Sequence, residues 1–176
     1  MISLTKAVIT LAVRTCCSLI VFLYSNIALA TVDHISVNSH SFTNQLTVEK
    51  AKQVIKQGPQ LIVMWSLDCP ACFEELDTLA QLLKSRPELA ITLISTDDDP
   101  TRYEEVNQVY AEPAFRTVPR WVYQENQAQQ IRYTIDPTWQ GELPRSFYID
   151  KTGKQFSHSG VLSQKQLQSI VAKISP

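Results

Sequence analysis

The chain has 176 residues, with 16 Lys and Arg against 17 Asp and Glu, a formal net charge of −1. The basic residues are scattered and form no run, which argues against a nucleic-acid-binding surface. Glycine is scarce, internal repeats and low-complexity tracts are absent, and the length suits one domain with a sizeable core.

In chain order, residues 1–30 read as a secretory signal. Lys6 and Arg14 supply positive charge, no acid precedes Asp33, and an apolar stretch from Cys16 ends at Ala28-Leu29-Ala30, an A-x-A cleavage site. The alternative is an uncleaved anchor over Thr15 to Val32, since about eighteen residues is the lower limit for crossing a bilayer. Cys16 and Cys17 lack the small-residue pattern expected of a lipidated cysteine. Either reading places residues 31–176 outside the cytoplasm, in the periplasm, as one domain. After cleavage, Cys69 and Cys72 are the only cysteines left.

Residues 33–46, with Ile35 and Val37 in short alternation, fit an edge strand or a loose arm. Thr47 caps a helix to Gln57, whose apolar face is Val48, Ala51, Val54 and Ile55. Gly58-Pro59 stops it. Gln60 to Ser66 is a continuous apolar run, as in a strand buried on both faces. Pro70 suits the first turn of a helix, where its missing N–H costs nothing, and that helix runs to about Ser85. Leu89 to Thr96 is a second buried strand, and Thr101 to Ala111 a helix with Tyr103, Val106 and Tyr110 on one side. Residues 112–142 are the least patterned. Trp121 to Tyr123 fits a short strand and Ala128 to Ile135 a short helix. Ser146 to Ile149, the Asp150-Lys151-Thr152-Gly153 turn and Lys154 to His158 form a hairpin. Ser163 caps a final helix to Ile174. This alternation predicts an α/β sandwich with a mixed sheet.

The chemistry concentrates at Cys69-Pro70-Ala71-Cys72, where a strand hands over to a helix. That spacing lets a disulfide close with little backbone movement. A staple around two intervening residues removes little chain entropy, so a stabilising role is weak. A structural zinc site commonly takes four ligands, and none of the three histidines is near the pair in sequence. A redox pair is the remaining reading.

Three features resemble the thioredoxin superfamily, and more narrowly the exported TlpA/ResA-like proteins. They are Trp65-Ser66-Leu67-Asp68-Cys69-Pro70-Ala71-Cys72-Phe73-Glu74-Glu75, then Leu143-Pro144 before a strand, then Phe147-Tyr148-Ile149-Asp150-Lys151-Thr152-Gly153. The resemblance implies a three-layer α/β/α thioredoxin-like sandwich. It implies an enzyme, a thiol–disulfide oxidoreductase acting through Cys69 and Cys72, with Trp65, Pro70 and Ala71 supporting the site. Cys69, at a helix N-terminus, is then the exposed nucleophile, and Cys72, one turn inside, resolves the mixed disulfide.

By the same resemblance Pro144 is a cis-proline facing the site, and Leu143 offers its backbone to an extended substrate segment. Arg145 either touches an acidic substrate or is solvated. Val63 departs from the pattern, because many relatives carry there a polar residue that assists proton transfer. Glu142 is a substitute for it, or else a surface carboxylate. Trp139-Gln140-Gly141-Glu142 resembles a subset of the family and has no assigned step.

Asp68, Glu74 and Glu75 place negative charge near Cys69, which predicts a reducing or intermediate potential. The resemblance further implies exported clients such as apocytochromes or metal-site assembly proteins, an inner-membrane electron donor and no cofactor beyond the disulfide. A monomer with no nucleic-acid partner is expected. Two other classes compete: copper delivery through Cys69, Cys72 and His158, and a redox-inactive module binding partners in the Pro144 groove. His34, His40 and His158 are expected at the surface.

Overall fold

The computed structural model describes residues 44–175. The signal or anchor expected over residues 1–30, Cys16, Cys17, His34, His40 and the arm around Ile35 and Val37 lie outside them.

Six buried residues in a row form the central strand. Gln60–Trp65 (β2) pairs in parallel with Ile91–Ser95 (β3) and antiparallel with Arg145–Ile149 (β5). A strand flanked on both edges and covered on both faces has no polar side, which is why its sequence is a continuous run rather than an alternation. Arg120–Tyr123 (β4) adds in parallel to β3, Gln45–Leu46 (β1) in parallel to β4, and Gln155–Ser159 (β6) antiparallel to β5. The sheet is mixed and reads β1-β4-β3-β2-β5-β6.

Two apolar layers sandwich it. On one face, Leu61, Val63 and Trp65 pack with Pro70–Ser85 (α2), Tyr103–Tyr110 (α3) and Gln164–Ile174 (α5). On the other, Ile62, Met64, Phe147 and Ile149 pack with Val48–Val54 (α1) and Ala128–Ile135 (α4). The three-layer α/β/α arrangement is therefore the one expected.

Local chemistry sets the boundaries. Thr47 Oγ1 accepts the Lys50 amide at 3.0 Å to start α1. Ser163 and Gln166 exchange hydrogen bonds in a capping box at α5. In the hairpin, Asp150 Oδ1 accepts the amides of Thr152 and Lys154, and Gly153 takes φ +82°. β3 is shorter than the apolar run suggested, because Leu89 turns inward to plug the core before the strand begins. The expected helix from Thr101 is divided: a single 3-10 turn, Pro100–Arg102, precedes α3. Among the described residues no helix is long and apolar enough to cross a membrane.

Candidate active site

β2 delivers its last residue, Trp65, into the core, where the indole Nε1–H donates to Tyr110 Oη at 3.1 Å. The chain then crosses a tight loop. The Cys69 amide donates to Ser66 O at 3.2 Å, and Cys69 becomes the N-cap of α2 with Pro70 next. In that position its Sγ accepts the Cys72 amide at 3.2 Å, a helix-start N–H that also donates to Cys69 O at 2.9 Å. Cys69 and Cys72 form a disulfide, with Cα atoms 5.3 Å apart. Cys72 shares an inward stripe with Leu76, Leu79 and Leu83 and is 0 % exposed, whereas Cys69 is half-buried at the surface. Pro70 is exposed and Ala71 half-buried beside them.

Arg145 opens β5 opposite Met64, so Leu143-Pro144 arrives beside the Trp65 end of β2. The Leu143–Pro144 peptide is cis. Leu143 and Cys69 pack on the same apolar cluster. The Pro144 carbonyl accepts the Gly160 amide at 2.9 Å, and two residues later the Leu162 amide donates to Glu75 Oε2 at 2.8 Å.

Glu75 is the residue that sequence reasoning misplaced. Glu74 and Glu75 were expected to place negative charge near Cys69, but the first turn of α2 holds no acid. Glu74 is exposed in the second turn, and Glu75 is 0 % exposed, three positions after Cys72 on the same helix face. Its Oε1 is buried without a hydrogen-bond partner. Burial pushes its carboxyl above the ordinary glutamate range, against the opposing hydrogen bond from Leu162. The spacing 72, 75, 79 was the available signal, since it sets a carboxylate on an otherwise apolar stripe.

One expected role is corrected. Arg145 neither faces a substrate nor is solvated. It follows the side-chain alternation of Phe147 and Ile149, which face α1 and α4, away from Cys72. Its guanidinium is 9 % exposed and spends its donors internally, on Asp136 Oδ2 at 2.5 and 3.2 Å, Glu142 Oε1 at 3.2 Å, Ser157 Oγ at 2.8 Å and Ser159 Oγ. Glu142 is an exposed carboxylate, the second of its two expected readings. It accepts from Ser159 Oγ at 2.5 Å, and that bond together with Arg145 holds its carboxyl below the usual range.

Trp139, which had no assigned role, is buried and donates to Glu142 O at 2.8 Å, folding the loop ahead of Pro144. Gly141 takes φ +105° beneath the Arg132 guanidinium, where a Cβ would lie 2.8 Å from Nη1. Val63 is fully buried in the Cys72 cluster. His158 sits on β6 with Nδ1 3.4 Å from Gln166 Nε2. Among the described residues, no group of three or more His, Cys, Asp and Glu side chains is arranged to hold a metal ion.

The sequence also gave no hint of Asp97 and Arg102, which hold the loop leading to Cys69. Asp97 accepts from Ser66 Oγ at 2.9 Å and the Leu67 amide at 3.1 Å, and Arg102 Nη1 meets Asp68 Oδ2 at 2.7 Å. Asp97 opens the Asp97-Asp98-Asp99-Pro100 stretch, which reads in the sequence as a strand stop, and Arg102 falls in the helix expected from Thr101.

No protein-family model matches the chain, and no curated protein does. Solved structures do match. A secreted Mycobacterium tuberculosis disulfide oxidoreductase, described as homologous to E. coli DsbE, is 18% identical with a TM-score of 0.52, over 68% of this chain and 84% of that one. MTB DsbF, in mixed oxidised and reduced forms, is 19% identical with a TM-score of 0.52, over 67% and 81%. The thioredoxin domain of a Bacteroides vulgatus thiol-disulfide oxidoreductase is 18% identical with a TM-score of 0.53, over 70% and 84%. At such identities the likeness is one of architecture: residues 44–175 have the thioredoxin-like fold.

Proposed function

We propose that this chain is an exported thiol–disulfide oxidoreductase that reduces or exchanges disulfides in other exported proteins. The observation that carries this is the asymmetry of the Cys69–Cys72 pair, one sulfur at the surface on a helix N-cap and the other buried one turn inside. In the reduced protein, helix-start N–H groups favour the Cys69 thiolate. It attacks one sulfur of a client disulfide. The client S–S bond breaks, a Cys69–client disulfide forms, and the displaced client sulfur leaves with the electron pair and takes a proton. Cys72 then loses its proton and attacks Cys69 Sγ, the mixed disulfide breaks, and the second client sulfur leaves as a thiol. The client gains two electrons and two protons; the pair loses them and closes. A membrane-held dithiol donor reopens it.

Glu75 is the group that accepts the Cys72 proton. It lies on the same helix face, away from water, with one oxygen uncommitted and a carboxyl raised by burial. Leu143 and Pro144 form the shelf along which the client segment lies. Pro70 and Ala71 add no positive charge between the cysteines. The thiolate is therefore only moderately stabilised, and the pair favours giving electrons over taking them.

The test is insulin reduction with a dithiol donor, combined with trapping in cells. Cys72→Ser should accumulate mixed disulfides through Cys69, and the wild-type pair should be mostly reduced in vivo. Absence of both turnover and trapped clients would leave a partner-binding module. Tight copper retention against a chelator would point to metal delivery.

A further inference from the structure

The loop between Trp65 and Cys69 makes few contacts of its own and is held from outside. Asp97, at the end of β3, accepts Ser66 Oγ at 2.9 Å and the Leu67 amide at 3.1 Å, with Ser95 Oγ at 2.6 Å on the same carboxylate. Arg102 closes the 3-10 turn that follows, a turn fixed by Asp99 accepting the Thr101 amide at 2.9 Å. From there its guanidinium reaches Asp68, the residue directly before the nucleophile, at 2.7 Å, Glu105 at 3.5 Å and Asp97 at 3.8 Å. One cation therefore stands among three carboxylates on the approach to Cys69. Asp68 is 76 % exposed, so solvent screens its charge in part, and among the described residues Arg102 is the cation paired with it.

We infer that Arg102 is a positioning residue for the redox pair: it holds the Ser66–Asp68 loop in place and neutralises Asp68, so that the Cys69 sulfur ionises beside a balanced rather than a negative surface. This rests on the oxidoreductase reading and deepens it. The charged groups that enter are Asp68 on the loop, Asp97 and Arg102 after β3, Glu105 on α3 and buried Glu75 on α2 itself. Removing Arg102 leaves every member of that set an acid. A thiolate among uncompensated carboxylates is disfavoured, and the effect is modest because Asp68 faces solvent.

The test is the pH profile of Cys69 alkylation by iodoacetamide, read by mass spectrometry of the Cys69 peptide in the reduced full-length chain carrying Cys72→Ser. Arg102→Gln should move the profile to higher pH and slow alkylation at neutral pH by about threefold. Arg102→Lys should restore most of the rate. Asp68→Asn should move the profile the other way, because Arg102 then stands with one carboxylate fewer. The double variant should return toward the parent. A profile unmoved by both Arg102→Gln and Asp68→Asn overturns the inference, and so does a double variant indistinguishable from Arg102→Gln. If Arg102→Gln fails to fold, Asp68→Asn alone decides. Alkylation needs no client, so the two readings fail separately. Insulin reduction without a profile shift sinks the role of Arg102, and a shift without insulin reduction sinks the oxidoreductase.

Discussion

Glu75 on the cysteine-bearing helix accepts the backbone amide of Leu162, at 2.8 Å, across 87 positions of sequence. The bond joins the second turn of α2 to the segment that runs from Gly160, on the Pro144 carbonyl, toward α5. The buried carboxyl is thus a fastener, and under the proposed function it is also the group that takes the Cys72 proton.

Glu75→Gln separates those roles. The amide keeps an oxygen for Leu162 but cannot take a proton, so the resolving step should slow by about a hundredfold or more, the usual range for losing a general base. Rapid-quench measurement of mixed-disulfide lifetime checks this.

Stability carries a second signature of the same group. Burial raises the folded carboxyl above its unfolded value, so the folded state binds the proton more tightly. That contribution is complete at low pH and is lost as pH rises through the raised folded value. Wild type should therefore lose Tm relative to Glu75→Gln on going from about pH 5 to pH 8. Parallel Tm curves for the two proteins across that range would contradict it.

Arg145→Met should be severely destabilising. Asp136 is 6 % exposed and paired to Arg145 at 2.5 Å. Burial pushes its carboxyl up, but hydrogen bonds from Arg145 and Thr138 outweigh that and hold it below the usual range. Leaving that carboxylate unpaired costs about 3–5 kcal/mol. Denaturant melts measure the loss. The additional replacement Asp136→Leu should recover much of it, since an apolar pair can match a buried ionic one.

Tyr110→Phe removes one oxygen and strands two buried donors. Tyr110 Oη accepts from Trp65 Nε1 at 3.1 Å and the Ser95 amide at 3.0 Å while donating to Trp121 O at 2.8 Å. Each orphaned buried group costs about 1–3 kcal/mol. A small drop in Tm accompanied by unchanged tryptophan fluorescence would show that Trp65 does not depend on this hydroxyl.

How much of this was legible from the sequence follows from how far each feature reaches. The start of α2 was readable because Cys69, Pro70 and the stripe Leu76, Leu79, Leu83 lie within one element and share its period. The Asp150–Gly153 turn was readable because Asp150 bonds amides only two and four residues ahead. Glu75 was misjudged because a carboxylate reads as exposed even on an apolar stripe, and the amide that satisfies it, Leu162, lies far along the chain. The fate of Arg145 was hidden in a residue pattern without periodicity: Asp136 lies nine positions upstream, past the loop that Trp139 folds. Asp97 was invisible because acids after a strand commonly end it, and Arg102 because its partner Asp68 lies 34 positions away; nothing local marks a side chain that reaches back to the preceding crossover.

Both rims of the sheet are poor templates. β1 offers two residues, and β6 is a polar Gln-Phe-Ser-His-Ser strand that follows an exposed Lys154. Under the proposed function, with half-folded clients that display unpaired backbone, such rims keep the sheet from becoming a seed on which they polymerise, and contact falls to the cysteine-bearing end.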